Sequence, residues 1–331
     1  MTAVSLLVIN YRSSALAADA IATARAASSQ PLQAVVVDNS VDSAEADALR
    51  GVADTVVVSE RNVGYAGGIN AGRRSCDGDV IVVSNPDVRF GESAIDQLIA
   101  ADASVAGPAL FWDDAHCWML PPAELHTRRE VLDRVVATRS RVWARRRAQR
   151  RFLGRVAFWS LDRTTRVRAL SGAVMAIRAN AFDAAGGFDE RFPLYFEEND
   201  FLRRVQGAIV YVPSAQCRHL YNQSAAGSAD AASLYARSEL LYLRKWGGAL
   251  AKNFEGALQP QPPQGGNSDN VVFEASPLPS FETAAGHFGN DITDISGDIW
   301  NSYRGDVLYL RTVDSPTGRV LRSWTKARIR A

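Results

Sequence analysis

Residues 34–87 read AVVVDNSVDSAEADALRGVADTVVVSERNVGYAGGINAGRRSCDGDVIVVSNPD. Three short Val/Ile runs, at 34–37, 55–58 and within 79–83, each stop at polar residues: Asp38-Asn39-Ser40, Ser59-Glu60 and Ser84-Asn85-Pro86-Asp87. Helical patterns separate them, at 43–50 and 66–75. A strand apolar at every position is covered on both faces, and strands that alternate with helices make a mostly parallel sheet with helices packed on it. The pattern extends upstream to a first strand, VSLLVI at 4–9, and an alanine-rich helix at 15–27. Ligands of such sheets bind beyond the carboxyl ends of the strands. The polar clusters, with Asn10-Tyr11 after the first strand, all fall at that edge.

Downstream, strand patterns recur at 170–177 and 209–212, and helical ones at 198–205 and 231–246. The stretch 258–269, LQPQPPQGGNSD, has linker composition. Strand signals return at 271–274 and 307–310. The expected organisation is an α/β domain over 1–250 with an arginine-rich helical insertion at 126–168. A linker at 251–269 and a small β-rich C-terminal appendage at 270–331, of unassigned role, complete it.

The 331 residues are 47% hydrophobic and 22% charged, enough for a sizeable core, and the net charge of +1 points to no nucleic-acid partner. Cys76, Cys117 and Cys217 lack metal or disulfide spacing and read as buried free thiols in a reducing cytoplasm. The N-terminus reads as a strand and not a leader, and no apolar run is long enough to span a bilayer. Charge is uneven, however. Residues 128–155 hold eleven arginines and two acids, Glu130 and Asp133, interleaved with Val131, Leu132, Val135, Val136, Val142 and Trp143. The readings are a solvated helix face, a surface for anionic lipid head groups, and, least supported, a nucleic-acid face. The second would place the protein in the cytoplasm with peripheral contact at the inner face of the membrane.

The clusters at the sheet edge carry chemistry in combination. Asp38 and Asn39 can reach a base or ribose, although an acid ending a strand equally forms a turn. Arg61 to Asn70, RNVGYAGGIN, places Gly64, Gly67 and Gly68 where a backbone can approach a ligand near a helix N-terminus. It is neither a dinucleotide fingerprint nor a phosphate loop with GK[ST]. Asp87, after Pro86 ends the strand, offers a hard oxygen for a divalent cation, and His219 a second ligand. FDERFPLYFEEND at 188–200 is an acidic cluster, read either as carboxylates favoured at a helix start or as the seat of a general base.

As a set these segments resemble glycosyltransferase family 2, especially its rhamnosyltransferase-like branch, over roughly residues 2–246. VINY with VVVDNS, NVGYAGGINAG, NPD, and SGAVMAIR running into GGFDERFPLYFEENDFLRR occur in the family's order. The resemblance implies the GT-A type of fold, a Rossmann-like mostly parallel sheet covered by helices, and an inverting, metal-dependent transfer with Mn²⁺ or Mg²⁺. It implies nucleotide-sugar contacts at Asn10, Tyr11, Asp38, Asn39, Asn62, Gly64, Gly67, Gly68, Asn70, Asn85 and Asp87. Asp87 matches the last acid of the family's metal motif, with Asn85 replacing the first, and His219 matches the later metal-site histidine. Relatives carry an aspartate where this chain has Glu198, so Glu198 is expected as the base, with Glu197 and Asp200 orienting the site.

The implied reaction moves a sugar, L-rhamnose first, from a dTDP- or UDP-sugar to a hydroxyl of a cell-envelope glycan or lipid-linked acceptor. The competing readings are a nucleotidyltransferase and a catalytically impaired sugar-nucleotide-binding protein.

Overall fold

A computed structural model describes residues 3–125, 127–220, 229–246, 271–289 and 292–328. In chain order the first half holds β1 (Val4–Asn10), α1 (Ser14–Ala26), β2 (Leu32–Asp38), α2 (Ser43–Arg50), β3 (Thr55–Val58), α3 (Gly64–Arg73), β4 (Val80–Ser84), β5 (Val88–Phe90), α4 (Ala94–Ala100) and β6 (Val105–Phe111). There follow α5 (Arg128–Arg139), α6 (Arg141–Trp159), β7 (Thr165–Arg166), β8 (Val174–Arg178), α7 (Ala179–Ala184), α8 (Glu197–Arg204), β9 (Ile209–His219) and α9 (Ala229–Trp246). The chain ends with β10 (Val271–Ser276), β11 (Ala285–Phe288), α10 (Gly297–Ser302), β12 (Val307–Asp314) and β13 (Val320–Ala327).

The large sheet runs β3-β2-β1-β4-β8-β6-β9-β5, with β7 beside β9. Its first four strands are parallel, as the Val/Ile runs require, because each returns through a helix. Every residue of β1 is buried, and one core packs on each sheet face. Strand β8 enters antiparallel between β4 and β6. Register fixes the site edge: Asn10 pairs with Asp38, and Val8 with Ser84, so the ends of β1, β2 and β4 lie together.

Two segments depart from the sequence expectation. Strand β9 continues past Val212 to His219, which places the histidine on the sheet itself. Strand β6, VAGPALF, carries Gly107 and Pro108, residues that argue against a central strand. It nevertheless sits between β8 and β9, and its pairing with β9 shifts register at Pro108/Ala109. A bulge absorbs the missing donor. Among the cysteines, Cys76 and Cys217 are buried, but Cys117 is exposed, contrary to expectation.

The C-terminal residues form a second, antiparallel sheet, β11-β10-β12-β13. Trp112, Trp118 and Leu120 from the first half share a core with Phe273, Leu308 and Leu310. Phe152, Val156 and Trp159 of α6 pack on Val272 and Val313. Within this seam Glu274, fully buried, accepts from Arg155 Nε at 3.0 Å and from Arg311 Nε at 2.7 Å. The arginine-rich insertion is therefore not only a solvated face. Arg147 pairs with Glu130, Asp133 and Glu282, and Arg151 with Glu124. The expected linker lies outside the described residues.

Candidate active site

Asn10 closes β1 fully buried and works as a hub. Its Nδ2 donates to Asp38 Oδ1 at 3.0 Å, Ser40 Oγ at 3.2 Å and Glu45 Oε2 at 3.0 Å, and its Oδ1 accepts from the Ser13 backbone and hydroxyl. Asn39 is likewise committed: its Nδ2 donates to the Gly64 carbonyl at 3.0 Å and its Oδ1 accepts from Ser59 Oγ. These two asparagines shape the pocket instead of presenting free amides. Asp38 differs. Its Oδ1 accepts from Asn10 and the Ser40 N–H, while Oδ2 is buried with no partner. An orphaned carboxylate oxygen at a strand end is set to receive a ligand N–H or O–H. Tyr11 stands exposed beneath the Arg12 guanidinium.

Helix α3 starts at Gly64, where a positive φ of 76° suits glycine and the Asn62 side chain accepts the Gly64 N–H at 2.9 Å. The helix then turns its other glycines to packing. A Cβ on Gly68 would meet Ile9 Cγ2 at 2.9 Å, and one on Gly67 would meet Val63 Cβ at 3.1 Å. Asn70 braces the acid-bearing loop: Nδ2 donates to the Phe188 carbonyl at 2.9 Å and to Glu190 Oε1, and Oδ1 accepts from Phe188 N–H. Gly67 and Gly68 thus let α3 pack closely, and Asn70 ties it to the acid-bearing loop. Glu190, unforeseen from sequence, completes that brace.

Asp87 and His219 come together as expected. Val88 pairs with His219 across β5 and β9, which brings Asp87 Oδ1 to 3.3 Å from His219 Nε2. Burial alone would raise the Asp87 carboxyl, but the His219 imidazole, hydrogen bonds and Arg89 outweigh it and hold its pKa below the usual value. Among the described residues no group of three or more His, Cys, Asp or Glu side chains is placed to hold a metal. Asp87 and His219 offer one carboxylate and one imidazole donor, a set that would suit a divalent cation if a bound ligand supplied further oxygens. Asn85, before Pro86, donates its backbone N–H to the Ala173 carbonyl.

The acid loop is held in a strained shape. Tyr195 and Phe196 both have φ of 69°, an unusual conformation for bulky residues, and Glu197 opens α8 directly after them. Glu197 is buried, its Oε2 has no partner, and burial followed by the neighbouring Glu198 charge keeps its carboxyl well above the usual range. Glu198 is half-buried and accepts from the Asn199 amide at 2.9 Å; burial raises it too. Asp200, by contrast, is taken up entirely by Arg204 at 3.0 Å, Lys245 at 2.7 Å and Trp246 Nε1 at 2.8 Å. It latches α8 to α9. Asp200 is expected from sequence to orient the site, and the structure places it on Arg204, Lys245 and Trp246.

Tyr65 sits where the pieces meet. Its hydroxyl donates to the Gly172 carbonyl at 2.8 Å. Burial, then the charges of Glu197, Glu198 and Asp87, hold its phenol well above its ordinary pKa. A Cβ on Gly172 would lie 3.4 Å from Glu198 Cβ, and one on Gly64 would lie 3.1 Å from the Pro193 carbonyl. The α3 start, the 171–173 loop, the NPD turn and the acid loop therefore touch one another. Nothing in the sequence distinguished Tyr65 from a core aromatic.

Residues 5–153 match the model of glycosyl transferase family 2. That stretch, a little under half of the chain, is similar to family 2 glycosyltransferases. Two relatives from Mycobacterium tuberculosis strains, CDC 1551 / Oshkosh and H37Rv, are each 27% identical over 252 residues, covering 67% of this chain and 77% of their own. Both are named N-acetylglucosaminyl-diphospho-decaprenol L-rhamnosyltransferase. Among solved structures, GalNAc-T7 with UDP, GalNAc and Mn²⁺ aligns with a TM-score of 0.48 at 15% identity, over 72% of this chain and 47% of its own length. The mannosyltransferase PcManGT of Pyrobaculum calidifontis with GDP-Man and Mn²⁺ aligns at 0.44 and 14%, over 68% and 58%. This chain thus spans about half the length of those two proteins. The family match sets the nucleotidyltransferase reading aside.

Proposed function

We propose that this glycosyltransferase is an inverting, cation-dependent enzyme that moves L-rhamnose from a dTDP- or UDP-sugar to a hydroxyl of a lipid-linked glycan. The observation that carries the proposal is the meeting of the segments around Tyr65: its hydroxyl donates to Gly172, which lies against Glu198, and the adjoining Ala173 carbonyl accepts from Asn85 of the NPD turn. The relatives' name supports the sugar and the acceptor class.

In this reading Asp38 Oδ2 receives a donor N–H of the nucleobase. Asp87 and His219 would hold a Mn²⁺ or Mg²⁺ ion together with the donor diphosphate. When bound, the ion supplies charge neutralisation for the leaving diphosphate. Glu198 takes the proton from the acceptor hydroxyl as its oxygen bonds to the anomeric carbon, from the face opposite the departing diphosphate. Glu197, whose carboxyl burial and the Glu198 charge hold towards its protonated form, lessens the anionic charge beside Glu198. The elevated carboxyl of Glu198 suits a base that must be deprotonated yet hold a proton during transfer.

The deciding experiment is a thermal-shift panel of dTDP- and UDP-sugars with and without Mn²⁺, since a ligand bound only by the folded state raises the melting temperature. A cation-dependent rise with dTDP-rhamnose that vanishes in Asp87→Ala supports the reading. No rise with any nucleotide sugar would sink it. The longer acid at 198 also favours a second reading, a binding protein of impaired activity. Slow, Mn²⁺-dependent hydrolysis of the bound nucleotide sugar, lost in Asp87→Ala, excludes that one.

A further inference from the structure

Helix α5 exists because Thr127 caps it, with its Oγ1 accepting the Glu130 N–H at 3.1 Å, and Ser140 both ends it and caps α6 through the Trp143 N–H. The two helices are clipped face to face by charge: Arg147 of α6 reaches Glu130 and Asp133, and Trp143 Nε1 donates to Asp133 at 2.7 Å. Both acids of the segment are consumed on this inner side. Helical spacing then places Arg128, Leu132, Val135 and Arg139 on one outward stripe, flanked by Arg129 and Val136. All six are exposed, Leu132 by 64%. The start of α6 continues the surface with Arg141, Val142, Arg145 and Arg146, also exposed. The face thus combines arginines and branched aliphatics without a carboxylate, an arrangement that leaves apolar area exposed among the described residues.

We infer that this outer face of α5 and the adjoining start of α6 is a docking surface for an anionic lipid bilayer. Arginines attract the head groups, and Leu132, Val135, Val136 and Val142 enter the acyl boundary; neither element does this alone. No helix among the described residues is long and apolar enough to cross a membrane, so this is contact in the plane of the interface. Arg134 of α5 is ion-paired at 2.7 Å to Glu239 of α9, and α9 grips the acid-bearing α8 through Lys245. The docking face is therefore one helix removed from Glu198. The inference deepens the proposed function by naming the surface that presents a lipid-linked acceptor, and it rests on that reading for the acceptor's direction only.

The test is co-sedimentation of the full chain with phosphatidylcholine vesicles and with vesicles in which a third of the lipid is phosphatidylglycerol. We expect binding to the second alone, weakened by salt. Arg128→Glu with Arg139→Glu should weaken it at least about tenfold, since each basic residue near such a surface contributes about a fivefold factor. Leu132→Asn with Val136→Asn should weaken it several-fold, while both variants keep the wild-type melting temperature and the cation-dependent shift with nucleotide sugar. That shift reads the donor site separately, so the proposed function and the docking surface can fail independently. Equal binding to both vesicle types, no binding to either, or undiminished binding by the arginine variant would overturn the inference. Duplex DNA held as tightly as anionic vesicles, with the Leu132/Val136 variant undiminished on both, would overturn it in favour of a general polyanion patch.

Discussion

Glu274 and Glu197 are the same residue type, both buried, and are treated in opposite ways. Glu274 lies between Arg155 and Arg311, with both carboxylate oxygens taken, in the seam that joins the two sheets. Glu197 lies at the start of α8 with one oxygen unpartnered and another acid as its neighbour. A buried acid that only has to stabilise is given cations; one left without them holds its proton more tightly, at a cost that packing elsewhere must cover. The difference separates a part of the molecule that holds the fold from the part to which we assign the chemistry.

The comparison breaks first at the base. Glu198→Gln should lower transfer by about 10²- to 10⁴-fold, the usual contribution of a positioned base, while the donor-induced thermal shift persists. Transfer at the wild-type rate would remove Glu198 from that role. Next, Glu274→Ala strands Arg155 and Arg311 beside an empty site and should destabilise by about 3–5 kcal/mol in urea unfolding, with the folded fraction still binding nucleotide sugar. A loss under 1 kcal/mol would mean that the seam does not depend on this ion group.

Smaller effects sharpen the contrast. The Glu197 carboxyl is raised in the folded state, so the fold binds a proton that the unfolded chain has released. Stability therefore falls as pH rises from the unfolded value of about 4.3 towards the folded one. Glu197→Gln should flatten that decline in melting temperature across the same window. A slope identical to wild type would place the raised group elsewhere. The rate of transfer should for the same reason fall off on the acid side above the ordinary glutamate range, because Glu198 must lose its proton to act. The smallest effect is expected at Tyr65→Phe, which removes one hydrogen bond to Gly172, about 1 kcal/mol, and should raise KM more than it changes kcat.

The parallel half of the fold was legible because β1 to β4 each carry a Val/Ile/Leu run that ends in a polar cluster. Strand β6 was not, since Gly107 and Pro108 are breaker signals that only a bulge against β9 makes tolerable. Within the site, Asp87 and His219 were legible as a pair through the resemblance, and the sheet brings them together. Asp200 was not legible, because its partners Lys245 and Trp246 lie more than forty residues further along the chain and nothing local announces them. The glycines of α3 were read as ligand space; only the sheet packed beneath shows that Gly68 is small for Ile9.

The shared tryptophan core has a consequence for biosynthesis. A nascent chain that has emerged only as far as β9 already carries Trp112, Trp118 and Trp159, yet the strands that cover them, β10 to β12, are still to be made. Until they arrive, three indoles and the Arg155 charge face a half-built molecule. Chaperone demand during synthesis should therefore peak late, and any truncation upstream of β12 yields an aggregation-prone product and not a smaller enzyme.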